Sequence, residues 1–312
     1  VAKSHNKKPA IKRRVVNGIL VLDKPLDVSS NGALQRAKYL YRAKKAGHTG
    51  SLDPLATGVL PLCLGEATKF SQYLLDADKK YLADIKFGVT TTTGDAEGEV
   101  IDIKEIGEIT ETQLKSVFAE FHGEVEQIPS MYSAIKVDGQ PLYKLARQGI
   151  EIERKSRTIE IFSLELVKFD GETVTVEVHC SKGTYIRTLA EDIGKVLGCG
   201  AHVTGLRRTA SGPFKLDQAI TMSELEDCLE NSGEQGLDDL LLSPSEALPH
   251  WPKVELTEIG ASYFRQGQPV QIAKAPTEGW VRIFSESQDP VFIGVGEIME
   301  DGRIAPRRLV AH

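Results

Sequence analysis

Two runs rich in β-branched residues, about Thr158–Phe169 and Thr173–Cys180, flank Asp170-Gly171. Asp-Gly between alternating runs turns a chain back on itself, so these strands pair antiparallel with no crossover. The rest of the chain must accommodate that hairpin. Val15–Leu22 reads as a strand stopped at Asp23-Lys24-Pro25, where proline cannot donate to a ladder. Ser29 or Ser30 then caps a helix to about Lys44, Glu66–Asp78 has helical spacing, and Tyr81–Val89 alternates as a strand before a polar turn over Thr90–Gly98. Thr110 and Gln113 have capping-box spacing at the head of a helix to about Phe121. Further helices are expected over about Pro141–Gln148 and from the Ser181–Thr188 segment to about Leu197, with a strand over Ala201–Thr209. Strands and helices alternate irregularly, with hairpins among them. The spacing therefore predicts a mixed α+β fold with a largely antiparallel sheet, not a parallel doubly wound one.

At 312 residues the chain can hold one large core plus a smaller module. The composition shifts after Leu248, where Pro249-His250-Trp251-Pro252 forms a stiff link to a β-rich stretch with strands around Val281–Phe284 and Val291–Ile298. The expected organisation is a basic flexible tail at 1–14, a large domain at 15–248 and a small domain at 249–312. A net charge of −6 does not by itself point to nucleic acid, but its distribution is uneven. Lys3, Lys7, Lys8, Lys12, Arg13 and Arg14 crowd the N-terminal stretch, whereas Glu224, Glu226, Asp227, Glu230, Glu234, Asp238 and Asp239 form an acidic flank. About 128–157 is an excursion carrying Lys136, Lys144, Arg147, Arg154, Lys155 and Arg157, with Tyr132 and Tyr143 interleaved, a pattern suited to RNA.

Cys63, Cys180, Cys199 and Cys228 lack metal-ligand spacing, so we expect reduced thiols of a cytoplasmic protein and no metal site. His179 beside Cys180 does not alter this, since adjacent strand residues face opposite sides. No apolar run reaches the roughly 20 residues of a membrane helix, and the N-terminus lacks a signal-peptide core.

The chemistry is concentrated in Gly47-His48-Thr49-Gly50-Ser51-Leu52-Asp53-Pro54-Leu55-Ala56-Thr57-Gly58. Its glycines let backbone pass close to a ligand, and Pro54 stiffens the turn after the acid. A phosphate loop is excluded, because no lysine follows the glycines and Asp53 would repel a phosphate. Taken alone, Asp53 reads either as a turn or helix-capping residue or as an anionic nucleophile.

This loop, together with Ile128-Pro-Ser-Met-Tyr-Ser-Ala-Ile-Lys136 and Ser181-Lys-Gly-Thr-Tyr-Ile-Arg-Thr188, resembles the bacterial type of the TruB family of tRNA pseudouridine-55 synthases. Three independent motifs in order extend the likeness over nearly the whole chain. The resemblance implies a pseudouridine synthase catalytic domain, a thumb at about 128–157 and a PUA-like RNA-binding module at the C-terminus. It implies an isomerase that flips out the T-loop uridine of tRNA, detaches its base and rejoins it through carbon, without metal or cofactor. Asp53 takes the nucleophile's position, attacking either the sugar or the ring, and Arg187 that of its partner. Tyr81 and Tyr185 correspond to contacts with the target base, where a tyrosine hydroxyl could help move the ring proton. Leu206 corresponds to a pocket wall and His48 to a residue at the flipped nucleotide. Lys136, Lys144 and Arg147 lie on the thumb, and Lys24, Lys69, Arg207 and Arg208 are expected at phosphates.

One departure is Thr92, where many members carry an acid, although Asp95 is present; no role is assigned to the Thr90–Asp95 turn. A guide-RNA-dependent synthase subunit and a non-catalytic tRNA chaperone are the alternatives. The elaborated thumb and short C-terminal module favour a stand-alone enzyme, expected to act on the T arm as a monomer with no protein partner.

Overall fold

The computed structural model describes residues 12–273 and 275–311. The hairpin strands are Arg157–Phe169 and Thr173–Cys180, and the latter alternates strictly in its environment. Val174, Val176, Val178 and Cys180 are buried on one side, whereas His179 faces the other and packs on Phe162 with ring centroids 4.8 Å apart. Ten strands form one sheet around this hairpin. Its main path runs Ile220–Thr221, Gly18–Lys24, Ala56–Leu64, Ala201–Ser211, Lys79–Phe87, Thr173–Cys180, Arg157–Phe169, Gly123–Gln127. Pairing is parallel only between Ile220–Thr221 and Gly18–Lys24 and between Ala56–Leu64 and Ala201–Ser211, so the fold is mixed α+β with a largely antiparallel sheet.

One face of the sheet buries the main core beneath helices Ser30–Leu40, Glu111–Glu120, Ile186–Val196 and Met222–Asp239. Leu34, Phe118, Leu189 and Leu225 insert into it, each such side chain contributing about 1.5–3 kcal/mol by leaving water. Ile19, Val21, Val59 and Cys63 point to the opposite face. There they pack with Phe70, Leu74 and, from the C-terminal module, Phe292, Val295 and Val310. That module is a four-stranded sheet, Lys253–Leu256, Trp280–Ser285, Phe292–Ile298 and Ile304–Leu309, with helix Glu258–Arg265 and a core of its own. Among the described residues no helix is long and apolar enough to cross a membrane.

Local signals explain several boundaries. Ser29 caps its helix by accepting from the Gly32 amide, and Thr110 and Gln113 make a reciprocal capping box. The continuous helix expected over Glu66–Asp78 is instead a 3₁₀ turn, Gly65–Phe70, followed by the short helix Ser71–Leu75. The Lys79 ammonium takes the Leu75 and Ala77 carbonyls at 2.8 and 2.5 Å and so terminates it. Within the expected polar turn, Val89–Thr91 is a strand paired with Val100–Ile103.

The expected tail at 1–14 lies outside the described residues as far as residue 11. Arg14, at its end, is no free arm. Its guanidinium pairs with both Asp238 oxygens at 2.6 and 2.8 Å and donates to the Tyr41 carbonyl, and its backbone bonds to Arg42 and Lys44. The acidic flank lies on the Met222–Asp239 helix, which breaks at Gly233 where φ is 65°. Arg14, Arg36 and Arg42 pair with Glu226, Glu234 and Asp238, so these opposite charges fasten the helix locally.

Candidate active site

The loop bearing Asp53 connects strand Ala46–His48 to strand Ala56–Leu64, which pair with each other. No helix follows Asp53, so the capping alternative has no helix to cap. The loop is held on both sides of the acid. The Leu52 amide donates to the buried Ser30 hydroxyl at 2.7 Å, and Ser30 returns a bond to the Leu52 carbonyl at 3.0 Å. The Pro54 carbonyl accepts from the Asp27 amide at 3.0 Å and from the Lys24 ammonium at 3.3 Å. Beyond the acid, Gly58 has φ of 101° and sits so close to the neighbouring strand that a Cβ would lie 2.2 Å from the Arg208 carbonyl oxygen.

Asp53 meets Arg187, from the first turn of the Ile186–Val196 helix, with Nε 3.0 Å from Oδ2. The remaining guanidinium nitrogens are held elsewhere. Nη1 donates to the Thr93 carbonyl at 2.8 Å and lies 3.5 Å from Asp95 Oδ2, and Nη2 donates to the Tyr132 carbonyl at 2.9 Å. Asp95 is itself buried, accepting at Oδ1 from the Thr93 hydroxyl at 2.5 Å and the Glu97 amide at 3.1 Å. The Arg187 side chain is 6% exposed and that of Asp53 is 42% exposed, so the cation is locked and the carboxylate is presented.

Two cavities meet at Asp53. The first, about 310 Å³, is lined by Tyr81, Tyr185, Leu206, Lys79 and Arg208 as well as the Asp53–Arg187 pair. The second, about 890 Å³, is lined by His48, Tyr143 and Arg147 together with Asp53, Asp95 and Arg187. Crowding by protein raises the Asp53 carboxyl above the ordinary range; Arg187 pulls it back, Asp95 pushes it up and Lys24 pulls it down. Burial likewise raises the Tyr81 phenol, opposed by Arg208, its cross-strand partner. Burial lowers His48, with Arg208 adding to the effect, so its ring is neutral at pH 7; Nδ1 has no hydrogen-bond partner among the described residues. Tyr185 is fixed through its backbone, since the Gln127 side chain accepts from its amide at 2.7 Å and donates to its carbonyl at 3.0 Å.

The structure thus brings Asp53, Arg187, Tyr81, Tyr185, Leu206 and His48 together around one carboxylate. The thumb roofs this arrangement. Ser133 and Ala134 line both cavities, Arg147 is exposed at the wall of the larger one, and Lys136 and Lys144 are exposed beyond them.

Of the four expected phosphate cations, the two buried ones, Lys24 and Arg208, need correction, whereas the side chains of Arg207 and Lys69 stay 38% and 37% exposed. Lys24 is fully buried and donates to the Pro25, Val28 and Pro54 carbonyls, so no phosphate can reach it. Arg208 is 1% exposed and donates to Val59 and Gly50 carbonyls. Arg207 alternates away from the cavity that Leu206 and Arg208 line and pairs with Asp23 at 2.6 Å and Thr57 at 3.1 Å. Lys69 pairs with Glu66 and donates to the Leu309 carbonyl, tying the two modules together. Sequence reasoning missed Asp95, Lys79 and Ser30. For Asp95 the signal was an acid within a threonine-rich turn; for the other two no local pattern announces burial.

Comparison with known proteins agrees with this geometry. Residues 38–186 match the TruB family pseudouridylate synthase (N terminal domain), residues 187–248 the tRNA pseudouridylate synthase B C-terminal domain, and residues 252–310 the pseudouridine synthase II TruB C-terminal domain. The chain is 55% identical over 298 residues to tRNA pseudouridine synthase B of Pseudomonas aeruginosa (strain UCBPP-PA14), covering 96% of this chain and 97% of that one. The chain belongs to the TruB family. It is likewise 51% identical over 305 residues to tRNA pseudouridine synthase B of Vibrio atlanticus (strain LGP32), covering 96% of each.

Among solved structures, this TruB-family chain is similar to one in an H/ACA RNP bound to a substrate RNA containing 2′-deoxyuridine, with a TM-score of 0.72 and 26% identity over 96% of this chain and 86% of that one. It is also similar to one in a Cbf5-Nop10-Gar1 complex, with a TM-score of 0.69 and 29% identity over 91% of this chain and 79% of that one. Family membership makes the protein a pseudouridine synthase, an isomerase, with a PUA-like C-terminal module.

Proposed function

We propose that this chain converts the T-loop uridine at position 55 of tRNA to pseudouridine, with Asp53 as nucleophile and Arg187 as the cation that keeps it ionised. The observation that carries this is the 3.0 Å Asp53–Arg187 pair at the wall of a cavity of about 310 Å³ lined by Tyr81, Tyr185 and Leu206. A cavity of that size takes a small flat ring, and aromatic and aliphatic walls suit a pyrimidine that has left its stack. Extruding a stacked uridine costs a few kcal/mol, which contacts with the surrounding RNA must offset. Lys136, Lys144 and Arg147 on the thumb supply such contacts by meeting the T-arm backbone.

The nucleophile must be anionic; burial raises the Asp53 carboxyl, and Arg187 supplies the largest opposing pull toward the carboxylate. Asp95 and the Thr93 and Tyr132 carbonyls in turn fix the guanidinium, so the pair is organised before RNA arrives. Tyr81 and Tyr185 contact the base, a tyrosine hydroxyl assisting removal of the ring proton, and His48 stands where the flipped nucleotide enters. The chain works in the cytoplasm as a monomer, without guide RNA, protein partner, metal or cofactor.

Identities of 51–55% to enzymes named for tRNA, against 26–29% to chains of H/ACA and Cbf5 complexes, favour the stand-alone enzyme over a guide-dependent subunit. The presence of both Asp53 and Arg187 favours catalysis over a chaperone. The purified chain, given an unmodified tRNA transcript tritiated at C5 of uridine, should release tritium from one T-loop position with nothing added. No release, or release only with a guide RNA, would refute the proposal.

A further inference from the structure

Two cations line the floor of the smaller cavity, and the steps assigned to Asp53, Arg187 and the tyrosines leave both unused. Lys79 is 7% exposed and Arg208 is 1% exposed. They converge on Gly50, where a Cβ would lie 3.5 Å from Arg208 Nη1 and 3.9 Å from Lys79 Cε. Among the described residues neither makes an ion pair. The Lys79 ammonium points at the Leu74, Leu75 and Ala77 carbonyls at 3.5, 2.8 and 2.5 Å. Arg208 donates from Nε to the Val59 carbonyl at 2.7 Å and from Nη2 to the Gly50 carbonyl at 3.1 Å.

Two neighbouring buried charges of one sign, neutralised only by dipoles, are costly to fold. Burial lowers the Lys79 ammonium to about 8, Arg208 adding to this while Cys180, Asp78 and Asp76 oppose it, so the charge is present at neutral pH. Asp76 is itself paired with Lys182 at 2.7 Å, and the one carboxylate lining the cavity, Asp53, is engaged by Arg187.

We propose that Lys79 and Arg208 form a cationic floor that stabilises the uracil ring while it is detached from the sugar. This rests on the function proposed above and takes its route through the sugar. An Asp53 oxygen bonds to C1′ as the C1′–N1 bond breaks, and the electron pair leaves with N1, spread over O2 and O4. The ring turns, C5 bonds to C1′ and the carboxylate departs; the C5 proton is then lost and N1 takes one up, so the product is an isomer of the substrate. Between the two bonds the ring is an anion that must rotate. Hydrogen-bond donors aimed at one oxygen would hold it in one orientation. The Lys79 N–H groups are already directed at carbonyls, so it acts as a point charge whose attraction survives rotation in a site of low dielectric.

The test compares Lys79→Met and Lys79→Gln with the parent in single turnover on two T-arm RNAs, carrying uridine or 5-fluorouridine at the target. Glutamine keeps a donor for the carbonyls but removes the charge. Fluorine makes the ring a better leaving group; it blocks the last proton loss, but fluorine NMR follows the ring's transfer from N1. On uridine both variants should slow roughly tenfold or more, while the 5-fluorouridine rate falls less than about threefold. RNA affinity and the melting transition of Lys79→Gln should match the parent. Equal slowing on both RNAs, or a Lys79→Gln rate on uridine within about twofold of the parent, would overturn the proposal. If Lys79→Met fails to fold, Lys79→Gln decides alone. A parent chain inert on the uridine RNA would instead refute the function proposed for the site.

Discussion

Arg187 reaches Asp53 through Nε alone, while its terminal nitrogens are held by the Thr93 and Tyr132 carbonyls and faced by Asp95. The guanidinium is therefore anchored on the turn before Asp95 and on the base of the thumb, and the carboxylate is the free member of the pair. Anything that disturbs the thumb near Tyr132 also disturbs the charge beside Asp53.

Asp53→Asn removes the proposed nucleophile but little contact area. Turnover should fall roughly 10⁴-fold or more while tRNA affinity stays within a few-fold. Tritium release and filter binding measure the two; substantial remaining activity would discard Asp53 as nucleophile.

The pH profile should carry the mark of Arg187. Asp53 must be ionised to react, so the rate is full above its pKa and is lost as pH falls through it. That pKa stands above the ordinary carboxylate range because burial outweighs the pull of Arg187. Arg187→Gln removes the pull, so the acid limb of the single-turnover rate should move to higher pH. An unmoved limb in a folded variant would remove Arg187 from the control of Asp53.

Lys144 and Arg147 are exposed on the thumb, with Arg147 lying 5.8 Å from the Tyr143 ring centroid. Replacing both with glutamine should weaken RNA binding and flatten its salt dependence by about 0.7 in slope for each lost single-strand phosphate contact. An unchanged slope would take them out of the interface.

Lys24 should behave in the opposite way. Its ammonium ties Pro25 and Val28 to Pro54, directly after Asp53. Lys24→Met leaves those carbonyls unsatisfied and should cost about 1–3 kcal/mol in urea unfolding. The salt slope of RNA binding should not change; a flatter slope would restore Lys24 as a phosphate contact.

Much of the architecture was legible in local patterns. The Asp170-Gly171 hairpin, the Thr110 capping box and the period-two alternation of Thr173–Cys180 each follow from interactions within a few residues. The glycines around Asp53, and the three motifs that carry the TruB likeness, are likewise written in the order of residues. Elements whose cause is distant were harder to read. The Ala56–Leu64 strand follows the Asp53 loop as an apolar run without alternation, because both its faces are buried in different cores. The Glu66–Asp78 segment breaks up because a lysine further along takes its last carbonyls.

The sequence by itself determined the pairing of the hairpin, the helix starts and the glycine-rich loop that carries Asp53, because these rest on turn geometry, capping and motif order. Only the tertiary structure decided what each cation does. Lys24 and Arg208 look like any surface charge in a string of letters, yet the fold buries both, while Lys144 and Arg147 remain in solvent. Whether a charge meets water, a carbonyl or a carboxylate depends on strands brought together from far along the chain, and no local pattern encodes that encounter.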